Sequence, residues 1–331
     1  MQLHNLDAIL VRSDIRTYLT RSFTDIATVR SNLDLRNWPS QEDIDALVDL
    51  AKVLFVFAAT VVRFVGAPKQ SPRARLDILL ARRDGKSAMP YYLLDQLYLN
   101  VLETSVRSDQ RGEREDRSEA LRNVVGYIVA AQQPLSIASH AILLDADPDD
   151  VRLMVESLSS LLLSKSDELV RVFHPSFPDF IVDPRRCNNP CFLVTLEEYH
   201  PRLARGCLAL LNRHLRYNMA DLENPDVANS DVDDLDGRLF RSICHEGNHI
   251  GSALPQALFY AARYWTTHII CSSALDSELL AALSRFCEGH LFHWLELLSL
   301  IRSLTHSTQF SLLAVIHWLK VRRSSPSPFP T

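Results

Sequence analysis

The sequence predicts a mainly all-α protein, a helical arm with a central winged helix built from a helix-turn-helix pair and a short β-hairpin. Three observations carry this expectation. Glycine is scarce, nine residues in 331, beside abundant Leu and Ala, which disfavours a strand-rich fold full of tight turns. Several stretches repeat apolar residues at spacings of three and four, the period of a helix face packed on a core. One segment, roughly 118–173, runs through three helices separated by turn signals and ends in a hairpin-like run. The length is about twice that of an ordinary domain, so two or three packed units are expected.

The clearest helix starts at Pro39-Ser40, where Ser40 is a good N-cap and Asp43 stands in the capping-box position. Ile44, Leu47, Val48, Ala51, Leu54, Phe55, Ala58, Val61, Val62 and Val65 then form one stripe, read as a single helix closed by Gly66-Ala67-Pro68. A second helix is expected over Tyr91 to Val106, with Leu94, Leu97, Tyr98, Val101 and Leu102 on one side. Ser105 to Glu119 is the most polar stretch and reads as a solvated linker or helix start at a domain boundary. Beyond it the sequence predicts a helix over about 118–131 and another opening at Pro134-Leu135-Ser136 and running to Leu144. A third runs from Pro148 to about Leu163, with Asp147 as its cap and Pro148 in its first position. Leu161 to Phe173 is the hairpin candidate. Helices follow at about 197–212, 256–270 and 277–304, and the Pro/Ser-rich tail 322–331 is expected to be disordered.

Composition narrows the functional classes. A formal charge of −5 excludes a generally basic nucleic-acid binder. The second helix-turn-helix element, Asp147 to Ser160, holds four acidic residues and one Arg, so phosphate contact by it would be repelled. Six cysteines, no N-x-[ST] site and a start without a basic and apolar leader predict an intracellular, cytoplasmic protein. Asn123 to Leu144 lacks Asp, Glu, Lys and Arg over twenty-two residues, but Gln132-Gln133-Pro134 splits it into two helices; no membrane partner is expected.

Four motifs suggest chemistry. Gly85-Lys86-Ser87 matches the end of a P-loop, yet the first glycine of that motif falls on Leu80, so no phosphate-cradling loop is expected. Asp145, Asp147, Asp149 and Glu156 have EF-hand spacing, but Asp150 occupies the position that needs Gly, and cap and first-turn roles explain the same carboxylates. Cys187 and Cys191, with His174 and His200, form a loose candidate zinc set whose alternative is ordinary thiols. His245-Glu246-Gly247-Asn248-His249 is a literal H-E-x-x-H, in which His245 and His249 would hold Zn²⁺ and Glu246 would act as base. Against it stand Gly247, Gly251 and Pro255, which make a poor helix, and the lack of a nearby third ligand; a chance match is the reading adopted. Trp265, His268, His290, His293, Trp294, His317 and Trp318 fall at helical spacing among leucines and read as core or partner-facing positions.

Several stretches together resemble a known family. They are Ser13 to Leu19, Trp38-Pro39-Ser40 through Leu54 to Thr60, Leu94-Asp95-Gln96-Leu97-Tyr98, Pro134-Leu135-Ser136-Ile137, Phe173-His174-Pro175-Ser176-Phe177-Pro178-Asp179-Phe180, Arg186-Cys187 and His293 to Leu300. In order and spacing the chain resembles the part of a NACHT-type signal-transducing (STAND) NTPase that follows the nucleotide-binding domain, of the kind expanded in mushroom-forming fungi. The resemblance implies a first helical domain over 1–110, a winged helix over 115–183 and a second helical domain or arm over 184–321.

It also implies that His174 is the winged-helix histidine that touches the β-phosphate of bound ADP and holds a closed state. The alternative for His174 is a buried histidine bonded to backbone near Pro175. Two departures are visible. Lys52-Val53 replaces the small residues relatives carry before Leu-Phe, and the P-loop domain and the C-terminal repeats are absent. The expected function is therefore that of a non-catalytic regulatory arm, a fragment or a partner of a NACHT domain, with ADP or ATP reaching it only through a nucleotide-binding domain in cis or in trans. The competing expectations are a zinc hydrolase using His245, Glu246 and His249, and a degenerate helical scaffold.

Overall fold

A computed structural model describes residues 2–30, 33, 35, 37–68, 71–81, 91–107, 111–164, 169–224, 227–244, 253–272 and 276–324. The fold is mainly all-α: the described residues form fifteen α-helices and one small three-stranded sheet, and 72% of them are helical. In chain order the elements are α1 (Gln2–Val29), α2 (Gln41–Ala51), α3 (Phe55–Gly66), α4 (Pro72–Ala81), α5 (Tyr92–Ser105), α6 (Arg111–Ala130), β1 (Leu135–Ser136), α7 (Ile137–Leu144) and α8 (Pro148–Ser157). Then follow β2 (Leu162–Ser164), β3 (Leu169–Val172), α9 (Ser176–Val182), α10 (Leu196–His214), α11 (Leu235–Cys244), α12 (Ala253–Ile270), α13 (Ser277–Gly289), α14 (Leu291–Leu300) and α15 (His306–Ser324). No helix among the described residues is long and apolar enough to cross a membrane.

The chain divides into two units. The first comprises 1–123, 154–164 and 171–194; the second comprises 124–153, 165–170 and 195–331.

In the first unit Ile15, Leu19 and Phe23, spaced by four along α1, are fully buried; α1 packs on α2 and α3, in which Ile44, Leu47 and Val48 and Phe57, Ala58 and Val61 are buried. The Ser40 cap is reciprocal, as its sequence predicts: the Asp43 N–H donates to Ser40 Oγ at 3.1 Å and the Ser40 N–H to Asp43 Oδ2 at 3.0 Å. The single helix expected over 40–65 is instead two. Lys52 adopts φ 53°, the Leu54 N–H turns back to the Ala51 carbonyl, and α3 starts at Phe55. The apolar stripe reads straight through this break because α2 and α3 both pack on α1. The polar stretch after Ser105 is, from Arg111 on, the solvated start of α6, with Glu113 to Arg117 exposed.

In the second unit α10 and α12 form the central pair, with α7, α13 and α15 around it. Ala257, Ala261 and Ala262 of α12 and Leu203, Ala204, Cys207 and Leu211 of α10 are buried. Trp265, Phe286 and Trp294 join α12, α13 and α14 in one aromatic cluster, with ring centroids 4.9–6.0 Å apart. Gly206 lets α10 approach α7 so closely that a Cβ would run into the Leu143 carbonyl.

The hairpin is present as β2 and β3, and the Phe173 N–H closes it onto the Leu161 carbonyl at 2.8 Å. Leu135 and Ser136, expected as the entry to a helix, also form a short strand, antiparallel to β3 with Leu135 opposite Val170, giving the order β1-β3-β2. The helix from Pro148 stops at Ser157, short of Leu163, and the expected helix over 277–304 breaks at Gly289-His290 into α13 and α14.

Candidate functional site

The residues that converge most are in the first unit, around His174. Helix α5 places Asp95 and Tyr98 one turn apart on its buried side. An acid on an otherwise apolar stripe needs a partner. Asp95 finds it in Arg186, whose guanidinium donates through Nη2 to Oδ1 at 2.7 Å and through Nε to Oδ2 at 3.2 Å. The same guanidinium lies over the Tyr91 ring at 5.5 Å. Hydrogen bonding to Asp95 raises the Arg186 pKa above its ordinary value.

Tyr98, 1% exposed, sits against Phe177 and Phe180 of α9 with both centroids 5.4 Å away. Its hydroxyl lies 2.7 Å from Ser176 Oγ, and that oxygen lies 2.8 Å from His174 Nδ1. The Ser176 backbone N–H also donates to His174 Nδ1, at 3.2 Å. Burial raises the Tyr98 pKa, so the phenol stays protonated and able to donate. His174 is exposed, not buried as its structural alternative requires, although that alternative's bond to nearby backbone is present.

A second arginine ties the same segment to α3. Arg63 donates to the carbonyls of Ser159, of Ser160 at 3.2 Å and of Leu162 at 3.1 Å, and it stacks over Phe173 at 4.7 Å. The Ser159 and Ser160 carbonyls lie in the turn after α8 and that of Leu162 at the start of β2, so Arg63 holds the chain where it leaves the helix and enters the strand. Burial lowers the Arg63 pKa.

The other predicted sites fare differently. His245, Glu246 and His249, like Gly85-Lys86-Ser87, lie outside the described residues. Asp145 caps α7 through its backbone, with φ 53° and its N–H turned to the Ala141 and Ile142 carbonyls, and Asp147 Oδ1 accepts the Asp149 N–H at 2.7 Å, so the Asp147 carboxylate has a local structural role. Cys187 is buried, which pushes its thiol pKa up to about 11, and Cys191 is exposed. His200 is committed to His268 in the second unit, Nδ1 to Nδ1 at 2.9 Å, and His268 to the Tyr260 hydroxyl at 2.7 Å. Among the described residues, no three His, Cys, Asp or Glu side chains come together as metal ligands. A cavity of about 540 Å³ in the second unit is lined by Leu143, Leu210, Arg213, Ile243 and Leu254 among others, and of the predicted motif residues only Asp145 reaches it among the described residues.

Tyr98, Ser176, Asp95 and Arg186 were not singled out as site residues by the sequence. The available sign was Asp95 itself, a charge inside a buried stripe; nothing local announces that Tyr98 and Ser176 meet. No protein-family model, curated protein or solved structure matches this chain.

Proposed function

We propose that this chain is a non-catalytic regulatory arm that works with a NACHT-type nucleotide-binding domain, in cis or in trans, and reads the state of the nucleotide that domain holds. One observation carries the reading. Stretch 94–98, on which the resemblance rests, is far in sequence from two others, 173–180 and 186–187, yet meets the first at an exposed imidazole through Tyr98–Ser176–His174 and the second through Asp95–Arg186. The element order α6, β1, α7, α8, β2, β3 and the β1-β3-β2 pairing support reading that region as a winged helix.

In this reading a neutral imidazole N–H gives a charge-assisted hydrogen bond to a diphosphate oxygen of ADP. The Arg63 and Arg186 clamps hold the segment bearing it onto the α3 and α5 bundle. Replacing ADP by ATP changes which arrangement is preferred, and the difference in affinity between the two arrangements drives the switch. The protein acts in the cytoplasm, by protein–protein contact.

The test is calorimetry with ADP and ATP on the chain alone and on the chain mixed with a NACHT-type nucleotide-binding domain. Alone it binds neither at micromolar concentration; micromolar binding by the isolated chain contradicts the reading. In the mixture, His174→Ala weakens ADP binding about tenfold or more, the effect of losing one charge-assisted bond; an unchanged affinity counts equally against it.

A further inference from the structure

The hydrogen bonds around His174 determine what kind of atom it presents to a ligand. The Ser176 backbone N–H can only donate, so His174 Nδ1 must hold its lone pair toward it. Ser176 Oγ, 2.8 Å from the same nitrogen, therefore donates its proton there too. Its oxygen is then free to accept from the buried Tyr98 hydroxyl at 2.7 Å. The reverse direction leaves the proton of Tyr98, a residue only 1% exposed, without an acceptor. The chain of donors runs one way, from Tyr98 Oη to Ser176 Oγ to His174 Nδ1. The neutral ring's one proton is thereby placed on Nε2, which has no partner among the described residues.

We infer that Tyr98 and Ser176 are positioning residues that lock His174 in the Nε2–H tautomer, so that its outer nitrogen is a donor for an acceptor-rich anion such as a diphosphate and not a lone pair for a metal cation. This rests on the proposed function for the identity of the anion, but the tautomer is a property of the chain itself. The aromatic packing of Tyr98 against Phe177 and Phe180 fixes where its hydroxyl points, and the Asp95–Arg186 pair one turn earlier fixes α5 against the loop that follows α9. His174 is thus aimed by a rigid shell.

Ring-¹⁵N NMR of the full chain, with His174 assigned by comparison with His174→Gln, tests this. The expected spectrum shows Nε2 protonated and Nδ1 bare in the wild type. Ser176→Ala and Tyr98→Phe keep the backbone N–H on Nδ1 and lose only the hydroxyl relay, so a minor Nδ1–H population should appear beside the dominant Nε2–H form, and the wild-type pattern should return in Ser176→Thr, which keeps the hydroxyl. A wild type with Nδ1–H, or one tautomer mixture shared by wild type and both deletions, overturns the inference. So does a Zn²⁺ titration that moves the His174 Nε2 resonance at stoichiometric metal. A locked Nε2–H that does not respond to ADP supplied by a nucleotide-binding domain supports the locking and counts against the proposed function alone.

Discussion

His200 and His268 face each other across the α10–α12 pair through their Nδ1 atoms, 2.9 Å apart and buried. The Gln132 N–H donates to Tyr260 Oη at 3.2 Å, and the Tyr260 hydroxyl lies 2.7 Å from His268 Nε2. With both rings neutral, Tyr260 donates to Nε2, His268 Nδ1–H donates to His200 Nδ1, and each of these atoms is satisfied. An added proton has no place: on His268 Nε2 it displaces the tyrosine's bond, and on His200 Nδ1 it sets two donors against each other.

The first prediction follows from that geometry. Burial lowers the pKa of His200, and burial followed by His200 lowers that of His268 to about 3. Buried His140 is lowered to about 4. The unfolded chain binds protons at these sites near pH 6.5 and the folded chain does not. Their contribution to stability is therefore complete above about pH 6.5 and is lost progressively as pH falls toward the folded values. Urea unfolding between pH 7.5 and 4.5 should show a loss of a few kcal/mol. His268→Gln should flatten that slope.

The Asp95–Arg186 pair should be asymmetric to mutation. Asp95→Ala leaves a half-buried guanidinium without its carboxylate and should cost about 2–3 kcal/mol in urea denaturation, below the cost for a fully buried pair because Arg186 keeps some contact with water. Asp95→Leu combined with Arg186→Met should recover most of that loss. A double variant as unstable as Asp95→Ala would show that shape, not charge, governs the site.

Arg63 should not be replaceable by Lys. An ammonium cannot reach three carbonyls around one turn while lying flat on Phe173. Arg63→Lys should lose about 1–2 kcal/mol, measured by thermal or urea unfolding, and hydrogen exchange should rise at the amides of 158–162.

Gly206→Ala sets two effects against each other. Alanine favours a helix by about 1 kcal/mol over glycine. The added methyl, however, meets the Leu143 backbone carbonyl, which cannot rotate away, and such overpacking costs about 1–3 kcal/mol. A net fall in melting temperature is expected, whereas Gly289→Ala, where a Cβ meets nothing, should be neutral or mildly stabilising.

By itself the sequence determined the all-α class, the Ser40 and Asp147 caps, the start of α8, the split of the apolar run 123–144 and the hairpin after α8. Each of these rests on interactions within a few residues, where period, caps and turn residues act directly. The tertiary structure alone decided that the stripe over 44–65 is two helices, because a shared face on α1 has the same pattern whether or not the chain breaks at Lys52. It alone made Leu135-Ser136 a strand, since the partner is β3, more than thirty residues away. The pairings that matter most, Tyr98 with Ser176, Asp95 with Arg186 and His200 with His268, join residues 68 to 91 positions apart. A hydrogen bond closed over such a loop leaves no trace in local pattern, because its geometry is set by how helices pack and not by their neighbours in the chain.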